Sequence, residues 1–203
     1  NPLVNSPAER YALSKAKGSY PIFKEFTSHI PFDLDSFQIE GCHALEKGSS
    51  VLVAAPTGAG KTIVGEFAAH LAINTNKKCF YTTPIKALSN QKFQELCDKF
   101  GESRVGLLTG DTSINPDAQI VIMTTEILRN LLYKKGTTTE NIGLTASISM
   151  DNLDAVIFDE CHYINDKDRG KVWEETMILL PPEVNLVMLS ATLDHPEYFA
   201  KWL

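Results

Sequence analysis

Short apolar runs alternate with longer segments of helical period from Val51 onward. The runs are rich in β-branched residues and are apolar at consecutive positions, which is typical of strands covered on both faces. Strands that alternate with helices predict a mostly parallel sheet between two layers of helices. The predicted strands are Val51–Ala55, Cys79–Thr83, Val105–Leu108, Ile120–Thr124, Ala155–Phe158 and Leu186–Ser190. The predicted helices are Lys61–Ile73, Lys86–Phe100, Glu126–Lys134, Lys171–Leu180 and Pro196–Leu203.

The remaining segments carry weaker signals. Two helical stretches, Glu9–Ala16 and Ser36–Glu46, precede the first strand, and we expect turns at Pro21 and Pro31 between them. Residues Gly136–Asn152 are polar and rich in Thr and Ser, which predicts a surface loop.

Composition limits the class of protein and its location. With 43% hydrophobic and 22% charged residues, the 203-residue chain is typical of one soluble domain with a substantial core. No run approaches the roughly 18 apolar residues of a membrane helix, and the first residues lack the layout of a signal peptide. The four cysteines form no C-x-x-C pair, so we expect reduced thiols in the cytoplasm, with neither a zinc site nor a disulfide framework.

The loop after the first predicted strand indicates phosphate binding. It reads Ala55-Pro56-Thr57-Gly58-Ala59-Gly60-Lys61-Thr62 and leads directly into a helix. Gly58 and Gly60 allow backbone N–H groups to surround phosphate oxygens, and the start of the helix adds its positive dipole end. Lys61 suits the β and γ phosphates, and the Thr62 hydroxyl suits Mg²⁺. The alternative is an ordinary Gly-rich turn, and nucleotide binding by itself does not separate kinases, GTPases, transporters and motors.

An acidic box follows the fifth predicted strand. Asp159-Glu160-Cys161-His162 would lie at the carboxyl edge of a parallel sheet, where ligands of open α/β sheets bind. Asp159 suits the metal shell, and Glu160 suits a general base for the water that attacks the γ phosphate. His162 is a candidate sensor of the nucleotide state, although a histidine is more often structural. An Asp-Glu pair after a strand is also a common helix cap, and only its occurrence behind a phosphate loop favours catalysis.

Ser190-Ala191-Thr192 follows the last predicted strand and is expected at the same sheet edge. Its two hydroxyls have the chemistry to hydrogen-bond to the acidic box and to couple nucleotide state to the rest of the domain. The competing interpretation of this common tripeptide is a helix cap near Asp194.

These three motifs, in this order, resemble motifs I, II and III of superfamily 2 helicases of the DExH type. Further segments are similar to the Ski2-like branch. They are Phe32-x-Leu34-Asp35-x-Phe37-Gln38, the motif Ia-like Thr83-Pro84-Ile85-Lys86-Ala87-Leu88-Ser89-Asn90-Gln91, the motif Ib-like Thr124-Thr125-Glu126, and the stretch from His162 to Glu175. The resemblance covers about Phe32 to Leu203 and implies a RecA-like ATP-binding domain over residues 32–203, preceded by an extension over residues 1–31.

The resemblance also implies residue roles. Phe32 and Gln38 would bind adenine, the loop from Ala55 to Thr62 the phosphates and Mg²⁺, and Asp159 and Glu160 the metal and the attacking water. The net charge of −6 offers no general attraction to nucleic acid. By the resemblance, however, motifs Ia and Ib would hold a nucleic-acid strand through hydroxyls, backbone N–H groups and a helix end, which requires few net charges. The candidates for contacts with a nucleic-acid strand, called the candidate strand contacts below, are Pro84, Lys86, Thr109, Gly110, Asp111, Thr124, Thr125 and Arg129. Taken singly, Lys86 and Arg129 could equally be solvated helix residues.

By this resemblance the chain is the first motor domain of an ATP-dependent RNA helicase, acting on single strands and duplexes in RNA processing or decay. The alternatives are a DNA-directed helicase or translocase and a non-motor, ATP-switched docking platform. Helicases of this family use a second RecA-like domain, which this chain lacks, so we expect the isolated domain to hydrolyse ATP poorly.

Overall fold

The computed structural model describes residues 19–55, 60–135, 149–161 and 174–191. The helices are α1 (Pro21–Ser28), α2 (Ser36–Glu46), α3 (Thr62–Asn74), α4 (Lys86–Phe100) and α5 (Thr125–Lys135), and residues 174–179 are also helical. A short 3-10 helix spans Glu102–Arg104. The strands are β1 (Val51–Ala54), β2 (Lys78–Thr83), β3 (Val105–Leu108), β4 (Ser113–Ile114), β5 (Ile120–Thr124), β6 (Leu153–Phe158) and β7 (Asn185–Ser190).

The seven strands form one sheet in the order β1-β7-β6-β2-β5-β3-β4. All neighbouring pairs are parallel except β3 with β4. The parallel strands therefore end at a common carboxyl edge, which runs from Ala54 of β1 to Leu108 of β3. This arrangement confirms the predicted mostly parallel sheet.

Helices pack on both faces of the sheet, and each face has its own apolar core. Tyr81 and Ile157 point into a core that includes Phe67 of α3 and Leu96 of α4. Their chain neighbours point to the opposite face, into a core that contains Leu128 of α5 and Met177 of the 174–179 helix. Because successive side chains of a strand alternate between faces, both sets are apolar and the strands read as continuous hydrophobic runs.

The predicted elements and the structure agree closely in the described ranges. All six predicted strands are present, with bounds that differ by at most two residues, and Lys86–Phe100 is a helix as predicted. The two-residue strand β4 was not predicted. The stretch Glu9–Ala16, the helix Pro196–Leu203, the start of Lys171–Leu180 and most of the loop Gly136–Asn152 lie outside the described residues.

The expected turn at Pro21 is wrong, because Pro21 occupies the first position of α1. A proline is well tolerated there, since its missing N–H would have no partner within the helix and its fixed φ suits a helical start. The next two N–H groups, of Ile22 and Phe23, each donate a 3.0 Å hydrogen bond to one oxygen of the buried Glu46 carboxylate. A carboxylate from α2 thus caps α1.

Helix α1 packs into the same core as the sheet. Phe26 is buried and its ring meets the ring of Phe67 in α3, with centroids 5.3 Å apart. The predicted boundary between an extension over residues 1–31 and a domain over residues 32–203 stays a prediction.

Two chemical expectations can be compared with the described ranges. Cys42, Cys79, Cys97 and Cys161 are all free thiols. Across residues 19–55, 60–135, 149–161 and 174–191, no helix combines the length and the apolar character needed to cross a bilayer.

Candidate functional site

The phosphate loop leaves the sheet edge between β1 and α3. Ala55 is buried, and its N–H donates to the Ser190 carbonyl at 3.2 Å, so the loop begins beside the end of β7. Pro56, Thr57, Gly58 and Ala59 lie outside the described residues. The described part resumes at Gly60, whose φ of +78° lies in the left-handed region that favours glycine.

Gly60 is also constrained by a close neighbour. A Cβ at this position would lie 2.6 Å from Nε2 of Gln38, closer than real contacts allow. Lys61 follows as a buried residue with 7% exposure, and Thr62 opens α3. Both side chains predicted to bind phosphate and metal are therefore at the amino end of a helix, where the dipole favours anions.

Gln38 links the phosphate loop to the start of α2. Its Nε2 donates to the Gly60 carbonyl at 2.9 Å, and its Oε1 accepts the Asp35 N–H at 2.8 Å within the capping box of α2. An amide has two N–H donors and two acceptor lone pairs, and these two hydrogen bonds use one of each, while Gln38 is only 3% exposed. Phe32, predicted to bind adenine with Gln38, is 55% exposed.

The acidic box lies at the carboxyl end of β6, next to β2. Asp159 is buried, and its two carboxylate oxygens have different partners: Oδ2 accepts the Tyr81 hydroxyl at 2.6 Å, and Oδ1 accepts the Glu160 N–H at 2.8 Å. Glu160 has a φ of +55°, a conformation that costs a non-glycine residue energy and is frequent at functional sites.

Thr62 and the acidic box meet in one cleft of about 290 Å³. Its lining residues are Thr62, Thr83, Leu88, Gln91, Lys92, Glu95, Asp159 and Glu160. The structure thus brings together the predicted metal ligands and the predicted general base, although they are almost one hundred residues apart in sequence. Lys61 is adjacent to Thr62 in the chain but is not among the lining residues.

Several cleft residues were not expected from the sequence. Tyr81 is wholly buried, and its hydroxyl reaches the cleft residue Asp159. Lys92 lines the cleft, with its Nζ 5.4 Å from the Tyr81 ring centroid and 2.7 Å from Glu95. A strand tyrosine among apolar residues carries no signal that its hydroxyl meets a carboxylate. The i,i+3 spacing of Lys92 and Glu95 indicates an ion pair on one helix face, but not that this face lines a cleft.

Burial controls the ionisation of two groups at this edge. Burial, reinforced by the neighbouring Asp159 carboxylate, raises the pKa of the Tyr81 phenol well above its usual range, so Tyr81 remains a hydrogen-bond donor. Burial likewise raises the pKa of the Cys161 thiol to about 12, although the Ser190 hydroxyl acts in the opposite direction. The Cys161 thiol is therefore protonated and packs as an apolar group.

The predicted coupling tripeptide is described only in part. Ser190 is buried at the end of β7 beside Cys161, and Ala191 is half-buried. Thr192 and His162 lie outside the described residues, so their placement at the nucleotide site stays a prediction.

Most of the candidate contacts with a nucleic-acid strand lie at the same carboxyl edge of the sheet as the cleft, but on its other half. Pro84 and Lys86 follow β2, Thr109, Gly110 and Asp111 follow β3, and Thr124 and Thr125 join β5 to α5. Because β2, β5 and β3 are neighbours, these residues share one end of the sheet, whereas the phosphate loop, Ser190 and the acidic box follow β1, β7 and β6. The strand order therefore separates a nucleotide half of the edge from a candidate nucleic-acid half.

Two of the candidate cations are paired within the protein. Lys86 Nζ lies 2.6 Å from Asp111 Oδ2, and both side chains are largely exposed. Arg129 Nε lies 2.6 Å from Glu175 Oε2, and its guanidinium lies over the Tyr133 ring. Arg129 is only 31% exposed, so much of its interaction is with the 174–179 helix, and a strand contact by this residue stays a prediction.

The donor set at the cleft fits a magnesium ion bound together with a nucleotide. Mg²⁺ prefers oxygen ligands and is usually held by one or two protein groups plus phosphates and water. Thr62 and Asp159 supply such oxygens at one cleft. In the described ranges, no group of three or more His, Cys, Asp or Glu side chains forms a separate metal site.

Comparison with known proteins agrees with this geometry. The family model described as DEAD/DEAH box helicase matches residues 35–199. The chain is 52% identical over 178 residues to "Probable helicase HelY" of Mycobacterium leprae, covering 88% of this chain and 18% of that protein. It is 49% identical over 180 residues to "DExH-box ATP-dependent RNA helicase DExH15 chloroplastic" of Arabidopsis thaliana, covering 88% of this chain and 15% of that protein.

A third relative supports the branch inferred from the sequence. "Antiviral helicase SKI2" of Saccharomyces cerevisiae is 50% identical over 173 residues, covering 85% of this chain and 13% of that protein. The chain thus spans less than a fifth of the length of these relatives. A solved structure of S. cerevisiae Dbp5 bound to RNA and ADP BeF3 superimposes with a TM-score of 0.66 at 17% identity, covering 91% of this chain and 48% of that one, which confirms the RecA-like fold. The family model covers most of the sequence, and the chain belongs to the DEAD/DEAH box helicase family.

Proposed function

We propose that this chain is the ATP-binding motor domain of an ATP-dependent RNA helicase. The observation that carries the proposal is the single cleft lined by Thr62 of the phosphate-loop helix and by Asp159 and Glu160 of the acidic box. A passive nucleotide-binding protein would need Thr62 and Asp159 as metal ligands, but it would have no use for a second carboxylate, that of Glu160.

The proposed chemistry is hydrolysis of the bond between the β and γ phosphates. Lys61 and the phosphate-loop N–H groups bind the phosphates, and Glu160 orients a water molecule and accepts its proton as the water oxygen attacks the γ phosphorus. The leaving group is ADP. Phe32 stacks on the adenine, while the Gln38 amide hydrogen-bonds to its edge.

Thr62 and Asp159 are the residues that would hold Mg²⁺. When bound, the ion supplies charge neutralisation at the phosphates. The protein's part is to fix the ligands, and the buried Asp159 is held by hydrogen bonds at both of its oxygens.

Strand β2 joins the two halves of the proposed working edge. Thr83 lines the cleft, its hydroxyl lies 2.7 Å from the Ser89 hydroxyl, and its carbonyl accepts the Thr125 hydroxyl at 3.4 Å. Thr125 is a candidate contact with the nucleic-acid strand, and Ser89 lies in α4, three residues after Lys86. A shift of β2 on nucleotide binding would therefore reach the strand-binding half through direct hydrogen bonds.

The proposed domain spans residues 32–203, with residues 1–31 as an extension. A second RecA-like domain of the full-length protein would complete the ATP site and the strand-binding surface, and the reduced cysteines favour a cytoplasmic location. Ser190, Ala191 and Thr192, with His162, would report the nucleotide state to that second domain.

The preference for RNA is supported by the relatives, one of which is named an ATP-dependent RNA helicase. The test is ATP hydrolysis by the full-length protein in the presence of single-stranded RNA or DNA of matched length and sequence. Stronger stimulation by RNA is the expected result. Equal or stronger stimulation by DNA would replace the RNA assignment with a DNA-directed motor, and a lack of stimulation by either would favour the docking platform.

A further inference from the structure

Tyr81 occupies a position where a phenylalanine would fill the same space, yet it carries a hydroxyl. It is fully buried in β2, between β6 and β5, in the core shared with α3 and α4. Burying a hydroxyl costs free energy unless it finds a partner, and the partner here is Oδ2 of Asp159 at 2.6 Å. The second oxygen of Asp159 accepts the Glu160 N–H.

These two hydrogen bonds fix the rotation of the Asp159 carboxylate. A carboxylate bound through one oxygen can turn about its Cβ–Cγ bond, and the direction of its remaining lone pairs turns with it. With one oxygen bound to a strand side chain and the other to the next backbone N–H, only one orientation satisfies both bonds. The lone pairs left over are then presented to the cleft in a set direction.

The Tyr81 ring is itself held in place from two sides. A Cβ at Gly65 of α3 would lie 3.3 Å from Tyr81 Cε2, so the phosphate-loop helix packs directly on the ring. Lys92 of α4 places its Nζ 5.4 Å from the ring centroid. The same ring therefore contacts the helix that begins with Thr62 and, through its hydroxyl, the carboxylate of Asp159.

We propose that Tyr81 is a positioning residue for the metal ion: its buried hydroxyl orients Asp159 so that Asp159 and Thr62 present their oxygens to one divalent cation. This inference rests on the proposed function, because it assumes that Asp159 binds Mg²⁺ with the nucleotide. Partners of metal ligands commonly influence metal affinity strongly, since they set the orientation of the ligand.

The test is the Tyr81→Phe variant of the full-length protein, which removes one oxygen atom. Affinity for a fluorescent ATP analogue is measured in EDTA and then at increasing Mg²⁺ concentrations. The readout is the Mg²⁺ concentration at which half of the Mg²⁺-dependent gain in affinity is reached. We expect this concentration to rise by roughly 10- to 100-fold, while affinity in EDTA stays within about twofold. The matched control is Tyr133→Phe, because the Tyr133 hydroxyl also hydrogen-bonds to a carboxylate, that of Glu175, away from the cleft.

The outcomes separate this inference from the proposed function. If the wild-type protein showed no Mg²⁺-dependent binding of ATP, the proposed function would fail and the Tyr81 assignment with it. If wild-type binding depended on Mg²⁺ and Tyr81→Phe left the half-saturating concentration unchanged, only the Tyr81 assignment would fail. Equal loss of affinity with and without Mg²⁺ would also overturn it, since it would reveal a role in packing alone.

A spectroscopic measurement covers the case in which Tyr81→Phe does not fold. Fluorotyrosine at position 81 retains the hydroxyl, and its ¹⁹F resonance reports on the hydrogen bond to Asp159. We expect the resonance to move between ATP with Mg²⁺ and ATP with EDTA, whereas fluorotyrosine at position 133 stays unchanged. An unmoved signal at position 81 would contradict the assignment.

Discussion

The Gln38 side chain donates a 2.9 Å hydrogen bond to the carbonyl of Gly60, which joins the start of α2 to the end of the phosphate loop. A Cβ at Gly60 would lie 2.6 Å from Gln38 Nε2, so a larger residue there would displace the Gln38 amide. A residue to which the family resemblance assigns adenine binding is therefore also a support for the phosphate loop. Adenine contacts and phosphate contacts are expected to be coupled through this one amide.

Gln38→Glu tests that coupling. The substitution replaces the donor Nε2 with an oxygen that would face the Gly60 carbonyl, so a repulsive contact replaces a hydrogen bond. We expect ATP affinity to fall by about 10-fold or more, measured by titration with a fluorescent ATP analogue. The matched control is Gln119→Glu. Gln119 immediately precedes β5, at the opposite edge of the sheet, and its side chain also donates to a backbone carbonyl, that of Lys77. Equal ATP affinity in both variants would contradict the coupling.

Glu46→Gln tests the cap of α1. The Glu46 carboxylate accepts the N–H groups of Ile22 and Phe23, whereas a glutamine offers one acceptor and one donor to the same two N–H groups. We expect the free energy of unfolding to fall by about 1–3 kcal/mol in chemical denaturation. Glu40→Gln, an exposed glutamate on the same helix, is the control and is expected to change it by less than about 0.5 kcal/mol. A cost for Glu46→Gln no greater than the control would show that α1 does not depend on this cap.

The fold was more predictable from the sequence than the details of the site. Strands such as Ile120–Thr124 are apolar at every position, so their burial on both faces could be inferred without knowing their neighbours. The start of α1 at Pro21 depends on Glu46, 25 residues later, and no local signal identifies that partner. Strand β4 has two residues and exists only through its pairing with β3, which is a tertiary contact.

The same distinction applies to the cleft. Thr62, Asp159 and Glu160 could be assigned because phosphate and metal chemistry restrict residue type and spacing. Tyr81 could not, because the period of β2 predicts that its ring is buried but does not reveal what its hydroxyl meets. The pairing of Lys86 with Asp111 also depends on the placement of β3 beside β5, which follows from the sheet order.

Asp111→Asn tests whether Asp111, although itself among the candidate contacts, shields Lys86 from a nucleic-acid strand. Hydrogen bonds, first from Lys86 and then from Thr109, lower the pKa of Asp111 below its ordinary value of 3.8. Because the pKa of Asp111 is lower in the folded protein than in the unfolded chain, the ion pair stabilises the fold fully at any pH above the unfolded-chain pKa. This stabilisation is lost only as the pH falls through the lower pKa of the folded protein. Between about pH 6 and 8 the carboxylate is therefore charged, and it opposes the approach of a phosphate to Lys86.

Removal of that charge should strengthen binding of a single strand. We expect Asp111→Asn to raise affinity by about two- to fivefold, and to make it fall more steeply with salt, in fluorescence anisotropy with labelled RNA. Asp117→Asn, an exposed aspartate that removes the same charge from the segment between β4 and β5, is the control. Unchanged or weaker binding by Asp111→Asn would show that Asp111 is not a shield for Lys86.

Glu160→Gln in the full-length protein is the most direct test of the account, because the cleft was assigned to hydrolysis on the basis of this carboxylate. The amide has nearly the same shape but cannot accept a proton from water, so ATP affinity should stay within about threefold while turnover falls by at least about 100-fold. Turnover is measured as phosphate release at saturating ATP, with the exposed Glu102→Gln as control. Loss of turnover with ATP binding retained is the predicted result, and turnover near the wild-type rate would contradict it.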